Sequence, residues 1–204
     1  MNRIACRLSG LLLAFAGHAT AQVAPADAPQ ATAETAAVAD DGPYVFHAQD
    51  AQLESLWLCN GEVVRLLQPR GDAIPVRCGF QHPLLVPDAD IEPVPLLPAG
   101  TRIVALSDIH GQYDLMVRLL RAHQVIDQDD DWNLGRDHLV LTGDVFDRGP
   151  KVTETFWLLF RLQQQAQAAG GAVHFLLGNH ETMVLYEDLR YVHPRYLEVA
   201  RRLG

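Results

Sequence analysis

Residues 138–150 of this 204-residue chain read HLVLTGDVFDRGP, a short apolar run that leads into a cluster of Gly, Asp and Arg. A run of this length bounded by turn residues is typical of a buried strand, here His138–Leu141. Open α/β sheets bind their ligands at the carboxyl ends of the strands. We therefore expect the polar residues at 142–149 to form part of a ligand site.

The same pattern occurs before and after this stretch. Arg102–Leu106 predicts a strand that runs into SDIHG at 107–111, and Ala172–Leu177 predicts one that runs into GNHE at 178–181. Three loops at strand ends would bring Asp, His and Asn side chains into one crevice. Oxygen ligands combined with imidazole suit Mn, Fe, Zn or Mg, and no Cys occurs in these loops to favour a softer metal.

Two helices are predicted between the strands. Tyr113–His123 is amphipathic, with Leu115, Leu119 and Leu120 expected on its buried face, and Lys151–Ala169 is a longer helix that ends at two glycines. The resulting β-α-β-α-β order indicates an α/β layered domain.

The three loops together resemble a known signature. D-x-H at 108–110, GD-x-x-DRG at 143–149 and GNHE at 178–181 look like the motifs of calcineurin-like metallophosphoesterases, and the DRG form resembles their phosphoprotein phosphatase branch. The sequence segments at 157–159, 173–177 and 188–191 are similar to those of the bacterial Shewanella-like protein phosphatases. The resemblance covers roughly residues 101–195. It implies a layered metallophosphoesterase sandwich that holds two divalent ions, with Mn as the first choice and Fe, Zn or Mg as alternatives.

The resemblance also implies a role for each motif residue. Asp108 and His110 would hold the first metal, Asp144 would bridge both metals and Asn179 would bind the second. A water between the two ions would attack the phosphorus atom. Three further residues would act on the phosphate and the leaving group, namely Arg148 as the phosphate ligand, His180 as the proton donor and Asp147 as its orienting carboxylate.

Three functions are compatible with these motifs. The first is hydrolysis of phosphate monoesters, with a phosphorylated protein or peptide carrying Ser/Thr or Tyr phosphate as the substrate. The second is a phosphodiesterase or dinucleotide polyphosphate hydrolase of the same superfamily, and the third is a non-catalytic exported binding module. A nucleic-acid partner is not expected, because the net charge of −9 would repel a phosphate backbone.

The first 43 residues combine a signal-peptide pattern with an Ala-rich stretch. Residues 1–21 combine two arginines, a short apolar stretch at Leu8–Ala16 and the small-residue pattern Ala19-Thr20-Ala21, which predicts a signal peptide cleaved before Gln22. The protein would then be periplasmic, and no membrane span is expected in its mature form. The Ala-rich residues 22–43 predict a flexible tether.

Residues 44–98 predict a small β segment. Two apolar runs flank Asn60-Gly61, which is a strong hairpin signal, and Ile74–Cys78 could add a strand. Cys59 and Cys78 are the two cysteines left after cleavage at residue 21. In an oxidising compartment such a pair is expected to form a disulfide, whereas a failed export prediction would favour two buried thiols.

Residues 99–204 are interpreted as the N-terminal part of the catalytic domain, because family members supply further metal-binding histidines after the third motif. The alternative is a natural short form that completes its site with another chain. A truncated sandwich would leave Phe156, Trp157 and Phe160 without a partner layer, so the isolated chain is expected to be poorly stable and nearly inactive.

Several residues near the motifs have less specific interpretations. Glu181 is expected to be an acid at a helix start rather than a ligand, and Arg190 and His193 could line a substrate groove or serve a structural role. Two expectations concern residues outside the motifs: His138 would lie at the surface or in a loop and His174 in the core. The acidic run Asp127 and Asp129–Asp131 is expected to be a solvated loop.

Overall fold

Two three-stranded sheets and four helices make up the part of the chain that the computed structural model describes, residues 40–80, 82–87, 97 and 99–204. The predicted signal peptide and most of the predicted tether fall on residues 1–39, outside the described residues. In chain order the elements are β1 (Asp41–His47), β2 (Gln52–Cys59), β3 (Glu62–Pro69), β4 (Ile103–Leu106), α1 (Tyr113–Ala122), β5 (His138–Leu141), α2 (Val152–Ala168), β6 (Ala172–Phe175), α3 (Asn179–Leu185) and α4 (Pro194–Leu203).

The second sheet has the strand order β4-β5-β6, and both neighbouring pairs are parallel. Leu106 lies opposite Leu141, which in turn lies opposite Phe175, so the three strands end level with one another. Each of the three predicted strands is present, with ends within two residues of the prediction. The loops that follow the strands therefore start at one edge of the sheet, as predicted for the ligand site of an α/β domain.

A continuous apolar core lies between this sheet and its helices. Leu139 and Leu141 of β5 are fully buried in it, and Leu158 and Leu162 of α2 pack against them. The face predicted for α1 is wrong in part. Met116, Val117 and Leu120 are buried, whereas Leu115 and Leu119 are exposed. The buried face of the helix is thus rotated by about one residue from the predicted one.

The first sheet is an antiparallel meander, β1-β2-β3. Its β2–β3 hairpin turns at Asn60-Gly61 as predicted, with Cys59 opposite Glu62. The predicted disulfide between Cys59 and Cys78 is present. The predicted strand at 74–78 is not formed: Ile74 makes a single antiparallel bridge to Leu84, and Pro75, which has no backbone N–H, follows it directly.

The first sheet covers the side of α2 that was expected to lack a partner. The Trp157 indole N–H donates to the carbonyl of Pro43 at 2.9 Å, and its ring packs on a cluster that contains Trp57 and Ile74. Phe156 packs between Phe146 and Phe175, with ring centroids at 5.1 and 5.3 Å. The β segment therefore supplies a partner for Trp157, whereas Phe156 packs on residues of the second sheet and its loop, and both side chains stay half-buried beside an apolar cavity. β1 also begins at Asp41, inside the stretch interpreted as a tether.

Two polar expectations also need correction. His138 is 1% exposed rather than a surface residue, and its Nδ1 lies 2.9 Å from Nε2 of the half-buried His174 on the neighbouring strand. Within the acidic run, Asp130 is buried and accepts a hydrogen bond from Arg121 at 2.8 Å, because its carboxylate turns inward to a guanidinium.

No helix within the described residues is long and apolar enough to cross a membrane.

Candidate functional site

The three predicted loops meet at the carboxyl edge of the second sheet. Backbone hydrogen bonds fasten the first loop to the second, from His110 N to Asp144 O at 2.9 Å and from Gly111 N to Val145 O at 3.0 Å. The third loop is fastened to the second by the bond from His180 N to Asp144 Oδ1, at 3.1 Å. The motifs are thus one connected structure.

His110, Asp144 and His180 form a group of possible metal ligands, whose ligand atoms all lie within 4.8 Å of one another. His110 Nδ1 donates to the carbonyl of Phe146 at 2.9 Å, which leaves the lone pair of Nε2 for a metal. Asp108 Oδ1 lies 3.8 Å from that Nε2. A buried imidazole fixed in one tautomer beside two carboxylates fits a divalent transition metal.

The fourth predicted ligand lies beside this group. Asn179 is the first residue of α3, is exposed, and directly precedes His180. Of the four predicted ligands, the structure thus brings His110 and Asp144 into the group and places Asp108 beside His110, while Asn179 adjoins the group through the chain alone. The inclusion of His180 in the group differs from the sequence prediction, which reserved that residue for proton transfer.

His180 and Asp147 form a buried pair. His180 Nδ1 lies 2.8 Å from Asp147 Oδ2, and the Asp147 side chain is fully buried. Arg148 Nη2 lies 3.1 Å from the other ring nitrogen, Nε2. Because a guanidinium can only donate, Nε2 accepts from Arg148 and the ring proton lies on Nδ1, pointing at Asp147. Among the described residues, no carboxylate pairs with the Arg148 guanidinium, which is free to bind an anion.

Glu181 is the central structural residue of the site, a role that the sequence interpretation missed. It is 2% exposed, and its carboxylate accepts backbone N–H groups from four residues at 2.7–2.9 Å, namely Asp144, Val145, Phe146 and Gly178. Burial alone would raise the pKa of this carboxyl, but the four N–H donors outweigh it and hold the pKa below its ordinary value. Its position at the third residue of a helix was the available signal.

The backbone is strained where the functional side chains are attached. Five of the predicted site residues have φ between 47° and 73°, in the left-handed region that residues other than glycine avoid: Asp108, His110, Asp144, Asp147 and Arg148. Each such conformation costs of order 1–3 kcal/mol and persists only where surrounding contacts enforce it. Strain concentrated in this way is typical of residues whose side chains must point to one place.

α4 and the first sheet support the second loop from behind. The Arg195 Nη1 and Tyr196 hydroxyl groups both donate to the carbonyl of Pro150, at 2.7 and 2.8 Å. Arg195 also pairs with Asp41 of β1 at 3.2 Å. Burial, with Asp41 nearby, raises the pKa of Tyr196 to about 12, so the hydroxyl keeps the proton that it donates.

Arg190 and His193 occupy structural positions. The Arg190 guanidinium forms two hydrogen bonds to Asp188, at 2.8 and 2.7 Å. His193 caps α4 by accepting the Arg195 N–H at its Nδ1, at 3.2 Å. The structural alternative for both residues is thus the one that their contacts favour.

Comparison with known proteins agrees with this geometry. The calcineurin-like phosphoesterase family model matches residues 101–203, just over half of the 204-residue chain. The structure is similar to that of a cold-active protein-tyrosine phosphatase of a psychrophilic Shewanella species, with 39% identity and a TM-score of 0.72 over 80% of this chain and 50% of that one.

Two curated relatives each match less than half of the chain. Shewanella-like protein phosphatase 2 of Arabidopsis thaliana is 36% identical over 97 residues, 48% of this chain and 25% of the relative. A symmetrical bis(5'-nucleosyl)-tetraphosphatase of Chromobacterium violaceum is 36% identical over 83 residues, 41% of this chain and 25% of that protein. The chain thus spans a quarter of the length of these relatives. The resemblance inferred from the three motifs is confirmed, and the chain belongs to the calcineurin-like phosphoesterases, a family of metal-dependent hydrolases.

Proposed function

We propose that this chain carries the metal and phosphate centre of a phosphate monoesterase that acts on phosphorylated proteins or peptides. The observation that supports it best is the Arg148 guanidinium, which has no carboxylate partner among the described residues, beside the buried His180–Asp147 pair, with His180 itself in the group of possible metal ligands. An anion-binding group and a proton-transfer pair next to a metal site are the parts that phosphoryl transfer to water needs.

Four residues would hold two divalent ions, Asp108, His110, Asp144 and Asn179, with Mn²⁺ as the first choice. When bound, the ions supply Lewis acidity to the phosphoryl oxygens and an acidified water as the nucleophile. His110 is suited to this role because its Nδ1 is already bonded to Phe146 O, so that only Nε2 remains for a metal.

The remaining residues would handle the substrate. Arg148 would turn its two-pronged guanidinium from His180 to the phosphoryl oxygens, a geometry that lysine does not offer. His180, protonated on Nε2, would then donate to the leaving oxygen of a tyrosine, serine or threonine side chain. The Asp147 carboxylate, 2.8 Å from Nδ1, would hold the imidazole in place and stabilise its charge.

The cellular location belongs to the same proposal. The signal-peptide pattern at residues 1–21 and the disulfide between Cys59 and Cys78 both support a periplasmic protein, since disulfides persist in oxidising compartments. The substrate would then be a phosphorylated protein or peptide encountered outside the cytoplasm.

The metal site is tested by titrating the purified 204-residue chain with Mn²⁺ in a calorimeter. We expect about two ions per chain, and an Asp144→Asn change is expected to weaken binding about 100-fold, because it removes a carboxylate that would contact both ions. Asp129→Asn, in an exposed loop, is the matched control and should bind like the unchanged chain. Equal affinity in both variants would contradict the proposal.

The substrate class is tested by comparing a phosphotyrosine peptide, a phosphoserine peptide and diadenosine tetraphosphate with Mn²⁺ present. We expect slow turnover that favours the peptides by about tenfold or more, and loss of that turnover in His180→Asn but not in His123→Asn, an exposed control. Preference for the dinucleotide would instead support the function named for the Chromobacterium relative. Bound Mn²⁺ without any turnover would favour a binding module.

A further inference from the structure

Tyr191 contacts both of the residues that the proposed function assigns to the substrate. It lies in the turn between α3 and α4, and its side chain is 46% exposed. Its ring meets the His180 imidazole edge to face, with centroids 5.4 Å apart and an interplanar angle of 62°. The guanidinium carbon of Arg148 lies 5.9 Å from the same ring centroid.

The backbone of Tyr191 also holds the second loop. The Arg148 N–H donates to the Tyr191 carbonyl at 2.8 Å. Arg148 has φ of 62°, in the left-handed region, so this bond helps to keep its backbone in a conformation that it would not adopt alone. Replacing the Tyr191 side chain leaves this carbonyl in place, so a substitution there changes the ring contacts and not the loop anchor.

A second guanidinium lies near the ring but is already neutralised. The Arg190 guanidinium carbon is 5.7 Å from the Tyr191 centroid, and the Arg190 side chain is bonded to Asp188 through two of its nitrogens. The two cations near the ring therefore differ. Arg190 is paired with a carboxylate, whereas Arg148 has no carboxylate partner among the described residues and lies against the Tyr191 ring and His180 Nε2.

The contacts limit where the Arg148 guanidinium can point. A flexible arginine side chain loses entropy when it binds a phosphate, and a contact that holds it beforehand reduces this loss. The electron-rich face of an aromatic ring attracts a guanidinium without neutralising its charge or using its N–H donors, unlike a carboxylate. The Tyr191 ring can thus orient Arg148 and leave its N–H groups free for phosphoryl oxygens.

We infer that Tyr191 is a positioning residue, whose ring keeps the Arg148 guanidinium beside His180 and limits the rotation by which it reaches the phosphoryl group of the substrate. This inference rests on the proposed function, because it assumes that Arg148 binds the phosphoryl group. Tyr191 acts through Arg148, and it takes no proton and binds no metal.

The test is the affinity of the Mn²⁺-loaded 204-residue chain for tungstate, a tetrahedral oxyanion that stands in for phosphate, measured by calorimetry. Tyr191→Ala and Tyr191→Leu are expected to weaken tungstate binding about fivefold, because both remove the aromatic face. Tyr191→Phe keeps that face and should bind as well as the unchanged chain. Tyr186→Ala, an 81% exposed tyrosine in the same turn, is the matched control and should have no effect.

Each outcome separates this inference from the function on which it rests. Arg148→Ala should abolish tungstate binding, and the proposed function fails if that variant binds like the unchanged chain. If Arg148→Ala loses binding while Tyr191→Ala and Tyr191→Leu keep it, only the role of Tyr191 is overturned. Loss of affinity in Tyr191→Phe would show that the hydroxyl matters rather than the ring, and a parallel loss of Mn²⁺ affinity in Tyr191→Ala would reduce Tyr191 to a structural role.

Discussion

Replacing Glu181 with glutamine is expected to lower the free energy of unfolding by about 3 kcal/mol or more, since hydrogen bonds to a charged group contribute about 1.5–3 kcal/mol each and are not additive. The carboxylate accepts four backbone N–H groups and is 2% exposed. Glutamine offers a single acceptor oxygen and turns an NH₂ group toward the remaining donors. A loss of this size is a large share of the 5–15 kcal/mol that is typical of a folded domain.

The destabilisation should depend on pH in a defined direction. The pKa of Glu181 in the folded chain is lowered, so the carboxylate contributes its full stability above the pKa of an unfolded glutamate, about 4.3. That contribution disappears as the pH falls through the lower, folded pKa. The difference in unfolding free energy between the unchanged chain and Glu181→Gln should therefore be largest near neutral pH and shrink below about pH 4.

Urea denaturation followed by circular dichroism at several pH values measures this difference. Glu187→Gln, which replaces an exposed glutamate just beyond the end of α3, is the control and is expected to change stability by less than about 0.5 kcal/mol. A Glu181→Gln chain as stable as this control would show that the four N–H groups find other partners. A difference that does not change with pH would show that the charge of Glu181 is not what they bind.

Changing Gly178 to alanine is expected to abolish tight Mn²⁺ binding, with an affinity loss of about 100-fold, because the new methyl group displaces the Asp144 carboxylate that is proposed as a metal ligand. An ideal Cβ at Gly178 would overlap Asp144 Oδ1 and lie 2.6 Å from Asp144 N. Both atoms belong to the residue that is proposed to bridge the two ions. The backbone of Gly178 has φ of −88°, which alanine adopts readily, so the effect is steric and not conformational.

The same change should also destabilise the fold. Relieving the overlap requires the second and third loops to separate. This movement breaks the hydrogen bonds that join Glu181 and His180 to Asp144. Overpacking of this kind lowers the free energy of unfolding by about 1–3 kcal/mol. Mn²⁺ calorimetry and urea denaturation on the same preparation give the two effects separately.

Gly100→Ala is a useful contrast for this experiment. Gly100 has φ of 84° with no atom within 4 Å of an added Cβ, so the substitution introduces backbone strain without a collision. It should cost about 1 kcal/mol of stability and leave Mn²⁺ affinity unchanged. Tight Mn²⁺ binding by Gly178→Ala would mean that Asp144 can move without loss, and hence that its present position is not the one used for metal binding.

Local patterns in the sequence were sufficient for the three strands of the second sheet, for α1 and α2 and for the β2–β3 hairpin, but not for β1, α3, α4 or the role of Glu181. The strand at His138–Leu141, the hairpin at Asn60-Gly61 and the pair Cys59 and Cys78 appear as predicted. Apolar runs and turn residues act over a few neighbouring positions, and the carboxyl ends of neighbouring parallel strands lie at one edge of a sheet. For these reasons the sequence could anticipate that the loops carrying His110, Asp144 and His180 meet at one edge of the sheet, but not that His180 joins the group of possible metal ligands.

Only the tertiary structure decided which partner each side chain has. Trp157 is covered by the first sheet, His138 is buried against His174, and Glu181 binds four N–H groups that come from two different loops. Apart from the bond between Glu181 and Gly178, these contacts join residues 35 to 114 positions apart, beyond the reach of any periodicity in the sequence. The left-handed backbone of Asp144 and Arg148 has the same origin, because a strained conformation is held by the packing around it and not by local preference.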